Sequence, residues 1–463
     1  MCRCGGNTGA GMNGVCSKVI VLIVVGVGVV QAAGRPRLVV IMADDLGYGD
    51  VGCFGNQRIR TPHLDRLAAG GTRMTDFHSS GAVCSPTRAG LVTGRYQQRA
   101  GIPAVILADA KRPTHPHGLQ ATETTFGELL GEQGYATGLF GKWHLGYYPK
   151  YNPVRHGFDQ FRGYISGNVD FFSHVDQAGR LDWWCNDKLQ DEPGYTTHLI
   201  TRHSVDFIEA NHDRPFCLYV AYEPPHYPYQ GPGDRAVRKV GVPRGRQERN
   251  QSPQLIRRAY REMIEEMDEG IGEILSALSR CGLRDDTLVL FFSDNGATAA
   301  GSNGSWRGRK GQLWEGGHRV PCIASWPGQI PAGKTSRELG ITLDVMPTLL
   351  AAAGVTLPQT KRLDGRDLMK VLGQGERFQN RRLFWSHGRW RAVRWEHWKL
   401  VRGPQRQKAA QLFDLSQDPG ERQDRAADEP ERLQKMVAAL HAWEQETARD
   451  VTPQPTLAPP GKS

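Results

Sequence analysis

The chain has 463 residues, 39% hydrophobic and 23% charged, with 55 glycines and 28 prolines. That excludes wholesale disorder and a collagen-like repeat, and leaves either one large α/β domain with an appendage or two to three domains. Lys and Arg number 58 against 48 Asp and Glu, a formal charge of +10 that favours anionic partners. No nucleic-acid recognition motif accompanies that charge, so nucleic acid is not an expected partner.

The first feature along the chain is an apolar run at residues 19–30, preceded by Lys18 and followed by Gln31-Ala32-Ala33. A bilayer span needs about 20 such residues, so the run is too short for stable membrane insertion. A basic start, an apolar centre and small residues at the end read as a signal peptide over residues 1–33, with 1–11 an upstream extension before Met12. An exported protein is expected, periplasmic or secreted. Nine cysteines are present; three lie in this segment, and Cys53, Cys84, Cys185, Cys217, Cys281 and Cys322 are scattered without a CxxC pair. Zinc fingers and disulfide scaffolds are thereby excluded.

From 34 to about 358 short apolar runs alternate with amphipathic ones. Strands are expected at 38–42, 136–140, 216–221 and 287–292. Helices are expected at 122–133 and at 255–280, where Ile256, Tyr260, Met263, Met267, Ile271, Ile274 and Leu278 recur at helical spacing. Such alternation implies an α/β fold, a large mixed but mostly parallel sheet sandwiched by helices. Residues 231–250 form a basic, Gly/Pro-bearing loop that either flanks an anionic substrate or is a solvated insertion. Beyond 360, runs at 383–386, 390–394, 397–401 and 412–415 read as antiparallel strands. A helix at 429–447 follows, giving a small C-terminal α+β domain over 359–450. Residues 451–463 read as a frayed, Pro-rich tail.

In open α/β sheets ligands collect beyond the carboxyl ends of the strands. The four expected strands of the large domain are followed by Asp44-Asp45, by Lys142 and His144, by Pro224-Pro225-His226, and by Asp294-Asn295. Asp44, Asp45, Asp294 and Asn295 are oxygen donors, which suit a hard cation such as Ca²⁺ or Mg²⁺ and suit zinc poorly. Three clustered carboxylates would otherwise raise one another's pKa. Lys142, His144, His226 and Lys310 add cationic and hydrogen-donating groups, fit for an anionic oxo group. No Gly-x-Ser-x-Gly elbow and no Walker loop is present. Cys84, close to Arg88, reads either as a thiolate of depressed pKa or as a small buried hydrophobe.

At this cysteine the chain resembles the type I sulfatases of the alkaline-phosphatase superfamily. Cys84-Ser85-Pro86-Thr87-Arg88 matches their Cys-x-Pro-x-Arg core, and Leu91-Val92-Thr93-Gly94 follows. The run Gly134-Tyr135-Ala136-Thr137-Gly138-Leu139-Phe140-Gly141-Lys142-Trp143-His144 matches a second signature. Asp44-Asp45, Pro225-His226, Asp294-Asn295-Gly296, Lys310 with Trp314-Glu315-Gly316-Gly317, and Leu412-Phe413-Asp414-Leu415 before Asp418-Pro419-Gly420-Glu421 complete the set in family order.

The resemblance implies that a separate maturation enzyme converts Cys84 to formylglycine. The hydrated aldehyde would attack sulfur and form a sulfo-enzyme intermediate, and its second hydroxyl would then expel sulfate. It implies one Ca²⁺ on Asp44, Asp45, Asp294, Asn295 and residue 84. Arg88 and Lys142 would hold the formylglycine, and His144 would assist proton removal. Lys310 and His226 would bind sulfate, with His226 also an acid toward the leaving oxygen, and Ser166 would add a sulfate contact. Residues 163–174 resemble those of sulfatases acting on sulfated sugars, including N-acetylgalactosamine sulfates. A sulfated saccharide is thus the expected substrate, with Trp183 and Trp184 either stacking on a sugar or packing in the core. A phosphonate or phosphate ester hydrolase of the same superfamily is the alternative activity, and an inactive sulfated-glycan-binding protein the alternative from another class.

Overall fold

A computed structural model describes residues 34–243, 251–356, 362–404 and 409–456. The signal peptide expected over 1–33, the end of the basic loop and the domain boundary near 358 lie outside the described residues. In chain order the elements are β1 (Arg37–Ala43), α1 (Pro62–Ala69), β2 (Thr72–Met74), β3 (Phe77–His78), α2 (Cys84–Thr93), α3 (Phe126–Glu132), β4 (Ala136–Lys142), β5 (Gln160–Tyr164), β6 (Trp184–Cys185), β7 (Lys188–Leu189), α4 (Thr196–Ala210), β8 (Phe216–Ala221), α5 (Pro253–Arg280), β9 (Thr287–Ser293), α6 (Glu315–His318), β10 (Cys322–Ser325), β11 (Lys334–Ser336), β12 (Gly340–Ile341), α7 (Val345–Ala352) and α8 (Met369–Leu372). The C-terminal part adds β13 (Arg382–His387), β14 (Trp390–Trp395), β15 (Trp398–Arg402), β16 (Gln411–Asp414) and α9 (Pro430–Arg449).

Ten strands form one sheet in the order β11-β2-β10-β9-β1-β8-β4-β5-β6-β7. Its centre, β9-β1-β8-β4-β5, is parallel throughout, and antiparallel strands appear only toward the edges. This is the mixed, mostly parallel sheet that the alternating pattern implies. On β1, Leu38, Val40 and Met42 enter one core while Val39, Ile41 and Ala43 enter the other, the period of two expected of a strand buried on both faces. Helix α5 covers the second face with Tyr260, Ile264, Met267, Ile271, Ile274 and Leu278. Its Asp268 reaches across to accept the His63 and Leu64 amides, both at 2.9 Å, tying down the first turn of α1.

Two elements differ from the sequence reading. The helix expected from 122 starts at Phe126, because Thr125 and Glu128 close a capping box: Glu128 N donates to Thr125 Oγ1 at 3.1 Å and Thr125 N to Glu128 Oε2 at 2.8 Å. The tail expected to fray from 451 is docked as far as Gln454. Thr452 N donates to Arg99 O at 2.7 Å, and Gln454 Oε1 accepts from Gly118 N at 3.0 Å. Residues 457–463 lie outside the described residues.

The four C-terminal strands form one antiparallel sheet, β13-β14-β15-β16, packed under α9. It does not keep a core to itself. Trp385, Leu400 and Phe413 share a buried cluster with Ala82, Leu313, Trp314 and Leu343 of the large domain.

Candidate active site

Pairing in register brings the carboxyl ends of the parallel strands level. Ala43 of β1 pairs with Ser293 of β9, Met42 pairs with Ala221 of β8, and Gly141 of β4 pairs with both Ala221 and Gly163. Each next step of chain therefore delivers its side chain to one place. The approach is close enough that a Cβ on Gly141 would stand 2.0 Å from Ala221 O, and one on Gly296 would stand 1.9 Å from Gly316 O. Only glycine fits at either position.

Asp44, Asp45, Asp294 and Asn295 are buried together beyond β1 and β9. Asp45 N donates to Asp294 Oδ1 at 3.1 Å, and Asn295 Nδ2 donates to Asp45 Oδ1 at 2.7 Å. Three cations surround them. Lys142 Nζ pairs with Asp44 Oδ2, Lys310 Nζ lies 2.5 Å from Asp45 Oδ1, and Arg88 Nη2 lies 3.1 Å from Asp294 Oδ2 and 3.6 Å from Asp44 Oδ2. Arg88 Nη1 also donates to Lys142 O at 2.9 Å, so one guanidinium links β4 to both acidic strand ends.

Cys84 opens α2 with its thiol among these groups. Sγ lies 3.4 Å from Asp44 Oδ1 and 3.3 Å from Lys310 Nζ. Burial, reinforced by the Asp44 charge, pushes its pKa well above that of an ordinary thiol. The reading of Cys84 as a thiolate of depressed pKa is therefore overturned: unmodified, it is a neutral thiol and a poor nucleophile. All six described cysteines are free.

The two histidines are neutral. Burial and nearby Lys142 hold His144 well below its usual pKa. Its Nε2 donates to Ile106 O at 2.9 Å, and its Nδ1 is buried with no hydrogen-bond partner among the described residues. His226 falls to about 4, by burial that outweighs Asp44 and Asp45. Its Nδ1 donates to Tyr227 O at 2.7 Å, which leaves Nε2 facing Asp45 Oδ2 at 3.7 Å.

Cys84, His144, His226, Lys310 and Ser166 line one cavity of about 200 Å³ together with Tyr147, Asn168 and the 105–108 segment. Ser166 donates its hydroxyl to Asn168 O at 3.0 Å. Trp183 and Trp184 stay outside the cavity wall: Trp183 is fully buried and donates to Glu192 Oε2 at 2.7 Å, while Trp184 donates to Asp182 Oδ1 at 2.6 Å. Core packing, not sugar stacking, accounts for them. In the basic loop Arg238 turns inward and donates to Asn168 Oδ1 at 2.7 Å, so at that position the loop is not a solvated insertion.

Sequence reasoning missed Glu223, fully buried beside His226. Burial raises its pKa well above the carboxylate range; one oxygen accepts Val169 N at 2.9 Å and the other has no partner among the described residues. Its place just after β8 was the available signal. Tyr147 and the 105–108 segment were also missed, and no residue pattern marks them.

The oxygen cluster fits a divalent cation on two observations. Asn295 Oδ1 is a buried acceptor with no donor. Burial and the adjacent Asp44 push Asp294 up to about 7 despite Arg88, so the three carboxylates are not all held ionised by the side-chain cations. Asp44, by contrast, overcomes its burial through Lys142, His226, Arg88 and Lys310 and lies well below the usual range.

A family model described as Sulfatase matches residues 36–355, and one described as N-sulphoglucosamine sulphohydrolase, C-terminal, matches residues 306–449. Human arylsulfatase A is 36% identical, over 73% of this chain and 68% of its own. Mouse N-acetylgalactosamine-6-sulfatase is 34% identical, over 80% and 72%. Mouse steryl-sulfatase is 32% identical, over 88% and 81%. Among solved structures, Ps i-CgsB in complex with k-i-k-neocarrahexaose aligns with a TM-score of 0.80 at 29% identity, covering 90% of this chain and 94% of that one. The phosphonate monoester hydrolase of Agrobacterium radiobacter aligns with a TM-score of 0.67 at 21% identity over 89% and 96%, a likeness of fold alone.

Proposed function

The chain belongs to the sulfatase family and is a sulfuric ester hydrolase, and from that premise we propose that it releases sulfate from sulfated saccharides, using residue 84 as formylglycine. The observation that carries this reading is the position of Cys84 Sγ, 3.4 Å from Asp44 Oδ1 and 3.3 Å from Lys310 Nζ in the wall of a small cavity. As a buried neutral thiol the residue has no nucleophilic use there. Converted to a hydrated aldehyde by a separate maturation enzyme, it presents one oxygen to attack sulfur and a second to release sulfate afterwards.

Asp44, Asp45, Asp294 and Asn295, with residue 84, are the groups that would hold Ca²⁺. When bound, the ion supplies positive charge to the sulfate oxygens and lowers the pKa of an adjacent hydroxyl. Lys142 and Arg88 keep the carboxylates in place and orient residue 84 between them. Lys310 offers its ammonium to the sulfo group from the cavity side. His144 is the base: its Nε2–H is committed to Ile106 O, so the unpartnered Nδ1 is available to take a proton as sulfate leaves. His226 has Nδ1 committed to Tyr227 O, which leaves Nε2 to protonate the leaving oxygen once an anionic ester raises the ring's pKa. Ser166 lines the wall where a sulfate oxygen would lie, with its hydroxyl proton directed at Asn168 O.

The names of the relatives support a saccharide substrate, with an N-acetylgalactosamine-6-sulfatase and a structure holding a neocarrahexaose among them. The signal-peptide reading of residues 1–33 places the substrate outside the cytoplasm. The test is sulfate release from a panel of sulfated N-acetylgalactosamine, galactose and glucosamine, run beside matched sulfate and phosphate esters of 4-nitrophenol. Hydrolysis of at least one sugar sulfate, with a larger kcat/KM for the sulfate ester than for the phosphate ester, is expected. A larger kcat/KM for the phosphate ester, or no sugar sulfate cleaved, overturns the reading.

A further inference from the structure

A series of buried polar side chains, outside the cavity and unused by the chemistry above, runs from the C-terminal sheet to the start of β3. Lys399 Nζ lies 3.0 Å from His318 Nε2, His318 Nδ1 lies 3.0 Å from His78 Nδ1, and His78 Nε2 lies 2.9 Å from Asp76 Oδ1. Lys399, His318 and His78 are each fully buried. Trp385 stacks on the His318 ring with 4.1 Å between centroids, and its Nε1 donates to Ser79 O at 2.7 Å.

The series runs in one direction. An ammonium group donates three protons and accepts none. Lys399 has an acceptor for each: Glu315 Oε1 at 2.9 Å, Glu421 Oε1 at 3.0 Å, and His318 Nε2. The contact of that nitrogen with Leu313 O is longer, 3.4 Å. Burial, with Lys399 beside it, holds the His318 ring well below its usual pKa, and burial lowers His78 despite Glu315 and Asp76. Two neutral rings in this geometry have one arrangement of protons. His318 carries its proton on Nδ1 and donates to His78 Nδ1; His78 carries its proton on Nε2 and donates to Asp76. Asp76 stays ionised, because its burial is outweighed by Arg319 at 3.0 Å and Arg394 at 2.8 Å.

The series grips the element on which Lys310 depends. Helix α6 is a single turn, and the Lys310 loop rests on its glycines: a Cβ on Gly317 would stand 1.9 Å from Gln312 O and 3.0 Å from Arg309 O. The same turn touches both sides of the reaction centre. Gly317 O accepts Gly296 N at 3.0 Å, next to Asn295, and His318 O accepts Ser79 N at 2.7 Å, upstream of Cys84. Backbone packed this closely leaves no slack, so a displacement of α6 moves Lys310.

We infer that His318 is a positioning residue for sulfate-ester cleavage: by joining His78 to Lys399 through one fixed tautomer, it holds α6 where Lys310 reaches the sulfo group. The inference rests on the reading of Lys310 as a ligand of that group and extends it to a residue outside the cavity.

The test is a double-mutant cycle on 4-nitrophenyl sulfate, with protein matured at residue 84. His318→Phe keeps a ring against Trp385 and removes both nitrogens. It should lower kcat/KM about tenfold, the scale of one misplaced charge-assisted hydrogen bond. Its effect passes through Lys310, so it should cost less than about twofold when added to Lys310→Ala. His318→Gln, whose amide can still accept from Lys399, should lose less than about threefold. In ¹⁵N-histidine NMR of the wild type, the signals lost in His318→Gln should report a proton on Nδ1, and those lost in His78→Gln a proton on Nε2. That measurement stands whether or not His318→Phe folds. Unchanged kcat/KM in His318→Phe, an equal loss from it with and without Lys310, an equal loss in the Gln and Phe variants, or either ring protonated on its other nitrogen overturns the inference and leaves the reading of Lys310 intact. Wild-type turnover in Lys310→Ala overturns that reading, and the inference falls with it.

Discussion

Residue 84 differs from the other buried cysteines in its surroundings. Cys217 and Cys322 are buried in apolar cores, whereas Cys84 Sγ lies between a carboxylate and an ammonium. Those charges do not activate a thiol here, because burial and Asp44 outweigh Lys142 and Lys310 and drive its pKa up. Cys84→Ala is therefore expected to abolish sulfate-ester turnover while the melting temperature stays near wild type, since the side chain contributes little to the core. Retained turnover in that variant contradicts the assignment. Asn295→Ala removes the one buried oxygen of the cluster that lacks a donor. Its expected effect is a rise of at least ~10-fold in the Ca²⁺ concentration needed for half-maximal activity, read by titrating a chelated sample. An unchanged titration removes Asn295 from the set. Asp44, Asp45, His144, His226, Asp294 and Asn295 were legible in the sequence because each closely follows an apolar strand. Glu223 has the same place after β8 and was passed over, because nothing in its side-chain type separates a buried carboxyl from a solvated one.

At the scale of elements, the loop carrying Lys310 is braced from the C-terminal sheet. Lys399 of β15 sends Nζ to Glu315 Oε1 at 2.9 Å and to Glu421 Oε1 at 3.0 Å, all three groups fully buried. Glu421 Oε2 accepts Glu315 N at 2.7 Å, Gly316 N donates to Arg307 O at 2.7 Å, and Gly311 N donates to Ala82 O at 2.9 Å. Lys399→Met leaves Glu421 Oε1 without its cation, while Glu315 keeps Arg319 at 2.9 Å, and is expected to cost ~3 kcal/mol of stability, measured by denaturant unfolding. A loss below 1 kcal/mol, on that same scale, contradicts the brace. Glu421 gives the cluster a pH dependence. Burial raises its pKa to about 7 against the pull of Lys399, while Glu315 stays well below the usual range because Lys399 outweighs its burial. A carboxyl whose folded pKa is raised binds its proton more tightly in the folded state. Its contribution is full below the ordinary value of 4.5 and is lost as pH rises through about 7. Glu421→Gln should therefore flatten the fall in Tm between pH 5 and 8; an unaltered slope contradicts it. The four strands of the C-terminal sheet and α9 were legible from spacing alone, whereas α6 and α8 were not expected. The brace was not, because its charges come from segments far apart in sequence that look like solvated residues until the sheet packs them together.

At the scale of the molecule, one parallel sheet makes the site. Buried on both faces, its strands appear in sequence as uninterrupted apolar runs, and for that reason all four expected runs of the large domain were legible within a residue or two. The cavity wall at 105–108 was not legible: it has no periodicity, and its shape depends on hydrogen bonds from His115, His144 and Arg180, the last two 38 and 72 residues away along the chain. The same architecture makes a prediction about the whole protein. Prolonged treatment with a chelator should remove sulfate-ester turnover and lower Tm, and added Ca²⁺ should restore both, since a bound cation stabilises the fold that gathers its ligands. Indifference to chelation contradicts a metal at the strand ends.

Every step of the account requires that the ends of four parallel strands surround an aldehyde-bearing side chain. Tandem mass spectrometry of the peptide containing residue 84, taken from protein coexpressed with a formylglycine-generating enzyme and shown to hydrolyse sulfate esters, tests this most directly. The predicted spectrum shows the CH₂–SH of Cys84 replaced by an aldehyde or its hydrate, in proportion to activity. Fully active protein in which Cys84 remains an unmodified thiol contradicts it.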